Sequence, residues 1–264
     1  MESSGRRSAA FFDLDKTIIA TSSSMAFSRS FIEGGLFTRT QAVRTAFAQF
    51  LFEVGGADER QTSRLRDALS ELVAGWDVAQ VEAIVAETLH EHIDPVVYQE
   101  ALDLIGRHQG NGRDVVIVSA SALEVVEPIA ELLGADAVIA SRMEVADGRF
   151  TGEISFYCYG PAKAHAVEEL AATRGYDLDA CYAYSDSITD MPMLDAVGHG
   201  FAVNPDRTMR KTAHRHGWGV LTFRRPVGLR ARSGVRPALV AVIAIAAVAA
   251  VVFLALGSRR DGSD

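Results

Sequence analysis

From Asp94-Pro95 onward the sequence alternates short apolar runs with helix-patterned stretches, and this alternation limits the available folds more than any other feature. Val115 to Val118 reads as a strand, Leu123 to Leu133 as a helix and Ala137 to Ala140 as a second strand. Ala162 to Thr173 is helical, Cys181 to Tyr184 a strand, Met191 to Val197 a helix and Phe201 to Val203 a further strand. A hairpin interrupts the series, with arms Met143 to Val145 and Arg149 to Ile154 turned by Asp147-Gly148. Upstream, Ala9 to Phe12 is a short apolar run that ends on carboxylates, as a buried parallel strand would. The pattern predicts an α/β fold, a doubly wound parallel, Rossmann-like sheet with its sites at the carboxyl ends of the strands.

Between the first strand and Asp94 the pattern turns helical. Glu59 to Trp76 and Asp77 to His92 repeat apolar residues every three or four positions, and Asp77 suits an N-cap. The expected organisation is a core of residues 1–20 and 95–223 with a helical insertion at 21–94. Six of the thirteen phenylalanines lie in the insertion (Phe27, Phe31, Phe37, Phe47, Phe50 and Phe52), and they are expected to form its own apolar core.

Three groups of polar residues stand where this alternation would gather them, and a lysine joins them. Asp13 and Asp15 are two apart, so on extended backbone both carboxylates leave the same side just beyond an apolar strand. Ser119-Ala120-Ser121 follows a strand and precedes a helix, where hydroxyls and backbone N–H groups can cradle a phosphate or simply cap the helix. Lys163 lies near a helix start, where the macrodipole does not favour a cation and an anionic partner would explain it. Asp186 and Asp190 follow another strand, and with the first pair they could hold a hard cation such as Mg2+. His90 with His92, and His214 with His216, are spaced two apart and share no helix face for a metal, so they read as exposed.

In this order the segments resemble the haloacid dehalogenase superfamily, in its phosphoserine-phosphatase-like branch, from about Ala9 to Val220. Asp13-Leu14-Asp15-Lys16-Thr17 matches the first motif, Ser119 the second, Lys163 the third, and Asp186 with Asp190 the fourth. The resemblance implies a Mg2+-dependent phosphatase in which Asp13 attacks phosphorus to give an aspartyl-phosphate. Asp15 would protonate the leaving oxygen and then activate water. Ser119, Ala120, Lys163 and Thr17 would bind the phosphate. Mg2+ would sit on Asp13, the Asp15 carbonyl and Asp186, with Asp190 supporting the metal site. The insertion at 21–94 resembles the cap that sets specificity. Phosphoserine-cleaving members carry an acidic residue soon after the first motif to hold the substrate amine, whereas Ile18 to Ser24 here has no carboxylate. The expected substrate is therefore a small phosphomonoester other than free phosphoserine, with phosphoserine itself the alternative. A scaffold that keeps the fold without catalysis is a further alternative, favoured by loss of Asp13, Asp15 or Lys163, and all three are present.

The C-terminal segment has a different composition. Ala238 to Leu256 is 19 residues without a polar side chain. As a helix it would be roughly 28 Å long, close to the bilayer hydrocarbon thickness. Its eleven Val, Ile, Leu and Phe residues favour insertion by roughly 3 to 7 kcal/mol. Five arginines precede the run within an expected linker at 224–236, and a short tail at 258–264 follows the expected transmembrane helix at 237–257. That bias predicts a single-pass protein whose catalytic body lies on the cytoplasmic side and whose arginines can touch anionic lipid headgroups. With such an anchor, a lipid phosphate becomes a candidate substrate. Residues 224–264 hold seven of the 26 cationic side chains but only two of the 34 acidic ones, so the body is strongly acidic. An acidic body without a basic stripe excludes general nucleic-acid binding. Cys158 and Cys181 have no metal-ligand or disulfide-scaffold spacing.

Overall fold

A computed structural model describes residues 7–36, 70–224 and 226, all within one compact unit. Seven strands form one sheet in the order β4-β3-β2-β1-β5-β6-β7. These are β1 (Ala9–Asp13), β2 (Asp114–Ala122), β3 (Ala137–Ala146), β4 (Arg149–Phe156), β5 (Tyr182–Ser185), β6 (His199–Val203) and β7 (Gly219–Leu221). All neighbours run parallel except β3 and β4. Every residue of β1 is buried, which explains its unbroken apolar run: the strand is covered on both faces. β1 lies between β2 and β5, and the winding reverses there, so a crevice forms at its carboxyl end.

The longer described helices match the expected spans within a residue or two. Helix α3 (Val78–Ile93) is capped by Asp77, whose carboxylate accepts from the Gln80 amide at 3.2 Å. It is preceded by the short helices α1 (Ser23–Ala26) and α2 (Ser28–Glu33). Then come α4 (Gln99–Gly110), α5 (Leu123–Leu132), α6 (Pro161–Arg174), α7 (Met191–Asp195) and α8 (Arg207–His216). The expectations contain no counterpart for α4 or β7. Only three residues of α4 are buried, Ala101, Ile105 and His108, and the last hides a buried position behind a polar name. β7 is three half-buried residues at the sheet edge, too short to show a period.

Two expectations need correction. Residues 137–140 and the first hairpin arm are one continuous strand, because polar Ser141 is buried in it: its hydroxyl donates to the Ala120 carbonyl at 2.7 Å and accepts from the Cys158 amide at 3.0 Å. The hairpin turn at Asp147-Gly148 has positive φ at both residues, as a two-residue turn requires. His92 is not an exposed histidine. Its Nε2 lies 2.6 Å from the Ser30 hydroxyl and its ring packs edge-on to Phe27.

The helical insertion leaves and re-enters the core through a narrow stem. The Ala20 amide donates to the Val96 carbonyl at 2.7 Å and the Tyr98 amide to the Ile18 carbonyl at 2.9 Å. The insertion's returning segment also pairs with the β3–β4 hairpin. Gly75 N–H donates to Phe150 O at 2.7 Å, Phe150 N–H to Trp76 O and Val78 N–H to Gly148 O, both at 3.0 Å. Phe27 and Phe31 are buried in one continuous cluster with Leu14, Ile18 and Ile19, so these two join the main core rather than closing a separate one. Phe37, Phe47, Phe50 and Phe52 lie outside the described residues, as does the expected transmembrane span 237–257. No described helix is long and apolar enough to cross a membrane.

Candidate active site

Sheet register brings the distant polar segments together. Asp13, the last residue of β1, pairs with Val118, so Ser119 stands one residue beyond it on β2. On the other side Phe12 pairs with Tyr184, which places Ser185 and Asp186 at the same edge. After Asp15 the chain turns sharply: Lys16 takes φ 61°, a left-handed conformation uncommon outside glycine, and the Thr17, Ile18 and Ile19 amides all point to the Leu14 carbonyl.

Lys163 is the centre of the arrangement. It lies in the first turn of α6, after Gly160 at φ 56°, and is 2% exposed. Its ammonium donates to Oδ1 of Asp13 at 2.6 Å and to Oδ2 of Asp190 at 2.7 Å. These are the anionic partners that its position at a helix start calls for. Burial works against its charge, but Asp13 and Asp190 outweigh that and hold the ammonium protonated above its usual range. Asp13 is pushed the other way. Burial, reinforced by Asp190 and Asp186, raises its carboxyl above the usual range against the pull of Lys163. No described residue donates to Oδ2 of Asp13, which leaves one oxygen for attack.

Asp190 is 2% exposed and Ser185 Oγ also donates to its Oδ2, at 2.7 Å. It is thus tied back into the protein, as a support rather than an open ligand. Asp186 is pushed up to about 6 by burial and by Asp190. Its backbone amide donates to Thr17 Oγ1 at 3.0 Å. Thr17 is fully buried, and its hydroxyl joins the first polar segment to the last instead of opening toward a phosphate. Ser119 is 1% exposed, and its Oγ accepts from the Ser121 amide at 3.1 Å. Strand β2 runs on to Ala122, which caps α5 without any side-chain bond, so the serines do not cap that helix. The Ala120 carbonyl is anchored by Ser141.

Both oxygens of Asp15 are held, by partners the sequence gives no means of choosing. The Ser23 amide donates to Oδ1 at 2.8 Å and the Ser121 hydroxyl to Oδ2 at 3.1 Å. Burial raises its pKa, with Ser23 and Ser121 opposing. Cys158 is fully buried nearby, and burial pushes its thiol up to about 12, which rules it out as a nucleophile at neutral pH.

Among the described residues no three His, Cys, Asp or Glu side chains form a ready metal cage. Mg2+ does not need one, since it binds one or two carboxylates and fills its octahedron with water and substrate oxygens. The donor set fits it: three buried carboxylates, Asp13, Asp186 and Asp190, face one buried ammonium, and the raised pKa values of Asp13 and Asp186 express that excess of negative charge. Asp13, Asp186 and the Asp15 carbonyl are the groups that could hold the ion.

Residues 10–195 match the family model described as haloacid dehalogenase-like hydrolase. The chain is 58% identical over 260 residues to the inhibition of morphological differentiation protein of Streptomyces azureus, covering 96% of this chain and 94% of that one. It is 56% identical over 248 residues to a probable phosphatase of Mycobacterium tuberculosis, covering 92% and 86%. A phosphoserine phosphatase of the same organism is 35% identical over 256 residues, covering 96% and 81%.

Proposed function

The chain belongs to the haloacid dehalogenase-like hydrolases, and from that premise we propose that it hydrolyses small phosphate monoesters in two steps through an aspartyl-phosphate on Asp13. The observation that carries this reading is the buried Lys163 between Asp13 and Asp190, beside a second aspartate with both oxygens held. In the first step an oxygen of Asp13 attacks phosphorus, the ester P–O bond breaks, and Asp15 gives its proton to the departing alkoxide. In the second, Asp15 takes a proton from water as that water attacks phosphorus, releasing inorganic phosphate and restoring the Asp13 carboxylate. A carboxylate approaching an anionic ester needs cationic support. Lys163 supplies part of it, and Mg2+ at Asp13, Asp186 and the Asp15 carbonyl would supply the rest as electrostatic neutralisation. Ser119 and the Ala120 amide would hold phosphate oxygens.

The relative named phosphoserine phosphatase favours a phosphorylated small molecule of comparable size as substrate. Ile18 to Ser24 lacks a carboxylate for an amine, which argues against phosphoserine itself. We further propose that residues 237–257 anchor the body to the cytoplasmic membrane face, where a lipid phosphate such as a lysophosphatidate would be within reach. Its support is the 19-residue apolar run and the arginines before it.

The test is a screen of phosphomonoesters with Mg2+, comparing wild type with Asp13→Asn. Equal release of phosphate by the two proteins on every ester would overturn the reading. Fractionation of cells expressing the chain with and without residues 237–257 tests the anchor, and an unchanged soluble fraction would count against it.

A further inference from the structure

The hydroxyls around Asp15 form a chain that crosses from the insertion to the core. Ser23 Oγ donates to Ser121 Oγ at 2.8 Å, and Ser121 Oγ donates to Asp15 Oδ2 at 3.1 Å. The Ser23 amide closes the ring by donating to Asp15 Oδ1 at 2.8 Å. Ser23 is fully closed to solvent and opens α1, the first helix of the insertion, whereas Ser121 lies near the end of β2 in the core. Three donors from two separate parts of the chain therefore fix one carboxylate. A carboxylate with both oxygens held cannot rotate about χ2 without breaking two bonds, so its proton-carrying oxygen is aimed before substrate arrives.

We propose that Ser121 and Ser23 are positioning residues for Asp15, and that Ser23 makes the aim of this carboxylate depend on the seating of the insertion's first helix. The inference rests on the two-step reading above and deepens it. Its consequence falls on the proton transfers and not on the nucleophile. An alkoxide is a poor leaving group and needs the proton of Asp15, whereas 4-nitrophenolate departs without one. Attack of water on the aspartyl-phosphate needs Asp15 as base whatever ester formed it.

The two roles can be separated in time. With 4-nitrophenyl phosphate, the rapid burst of nitrophenolate reports formation of the aspartyl-phosphate, and the slower steady state reports its hydrolysis. In Ser121→Ala the burst rate is expected to stay within about twofold of wild type. The steady state, and aspartyl-phosphate formation from a simple alkyl phosphate followed by rapid quench, are each expected to fall by roughly tenfold or more, a share of the 10²–10⁴ that general acid–base catalysis supplies. Ser121→Thr, which keeps the hydroxyl, is expected to recover most of both. Ser23→Ala keeps its amide and is expected to lose less. The double variant Ser23→Ala/Ser121→Ala is expected to be no worse than Ser121→Ala alone, because the Ser23 hydroxyl acts through Ser121.

Equal loss of the burst and of the alkyl-phosphate step would show a general disturbance of the site and overturn the proposal. So would losses in the double variant that simply add. A wild-type protein that cleaves neither ester would sink the two-step reading and this inference with it, whereas wild-type turnover with unaffected serine variants would sink the inference alone.

Discussion

Nζ of Lys163 lies 2.6 Å from Oδ1 of Asp13, with side chains only 3% and 9% exposed, and the same nitrogen is 2.7 Å from Asp190. One cation thus neutralises two carboxylates that come from chain segments 177 positions apart, both closed to water.

Removing that cation strands two buried anions. Lys163→Ala is expected to lower stability by about 3–5 kcal/mol, the cost of breaking a buried pair from one side. Chemical denaturation in the absence of metal would measure it. Adding Asp13→Asn to Lys163→Ala is expected to recover part of the loss, since it removes one of the stranded charges. A double variant less stable than Lys163→Ala would contradict this account.

Metal dependence should follow the carboxylate excess. EDTA is expected to abolish phosphate release and Mg2+ to restore it. Asp186→Asn should raise the Mg2+ concentration for half-maximal activity at least as far as the roughly 10–100-fold seen when groups behind a ligand are removed. Unchanged Mg2+ dependence in Asp186→Asn would remove this residue from the metal site.

Thr17 offers a test of the tie between the two ends of the site. Thr17→Val leaves the Asp186 amide without its buried acceptor, a cost of about 1–3 kcal/mol, and should weaken Mg2+ binding. Thr17→Ser keeps the oxygen and should restore much of both. If Thr17→Val lost phosphate affinity alone, at unchanged stability, the expectation of direct phosphate binding would be the better one.

His108 links stability to pH. Its Nε2 lies 2.8 Å from the Tyr184 hydroxyl, and burial, helped by Arg113 and Arg107, pushes it down to about 4. Above the unfolded value of 6.5 the imidazole is neutral in both states and its full contribution is present. Between 6.5 and about 4 the unfolded chain takes up a proton that the folded one refuses. Stability attributable to this residue should therefore fall by about 1.4 kcal/mol for each pH unit through that window. Urea midpoints of wild type and His108→Gln, compared across the window, isolate the effect; parallel curves would exclude it.

Much of the fold and the site could be read before any coordinates, for physical reasons visible at particular residues. Ala9 to Phe12 had to be a covered strand, so Asp13 had to stand at its end, and the same logic located Ser119 and Asp186. Lys163 announced an anionic partner by its unfavourable place on a helix. What could not be read were the partners of the small hydroxyls. Ser23, Thr17, Ser121 and Ser141 each have one oxygen and no pattern, and the sheet register alone decides which donor or acceptor meets it. Helix α4 was missed for a related reason, since His108 is buried through a ring contact with Phe12 and its bond to Tyr184, neither of which hydropathy records.

The stem at Ala20–Val96 and Ile18–Tyr98 separates the evolution of reaction and recognition. Two backbone hydrogen bonds fix where the insertion begins and ends, and closing a longer loop between fixed ends costs only about 0.6 kcal/mol for each doubling of its length. A lineage can therefore lengthen, trim or exchange what lies between those bonds while Asp13, Lys163 and Asp190 stay in register, and a new substrate can be acquired without rebuilding the chemistry.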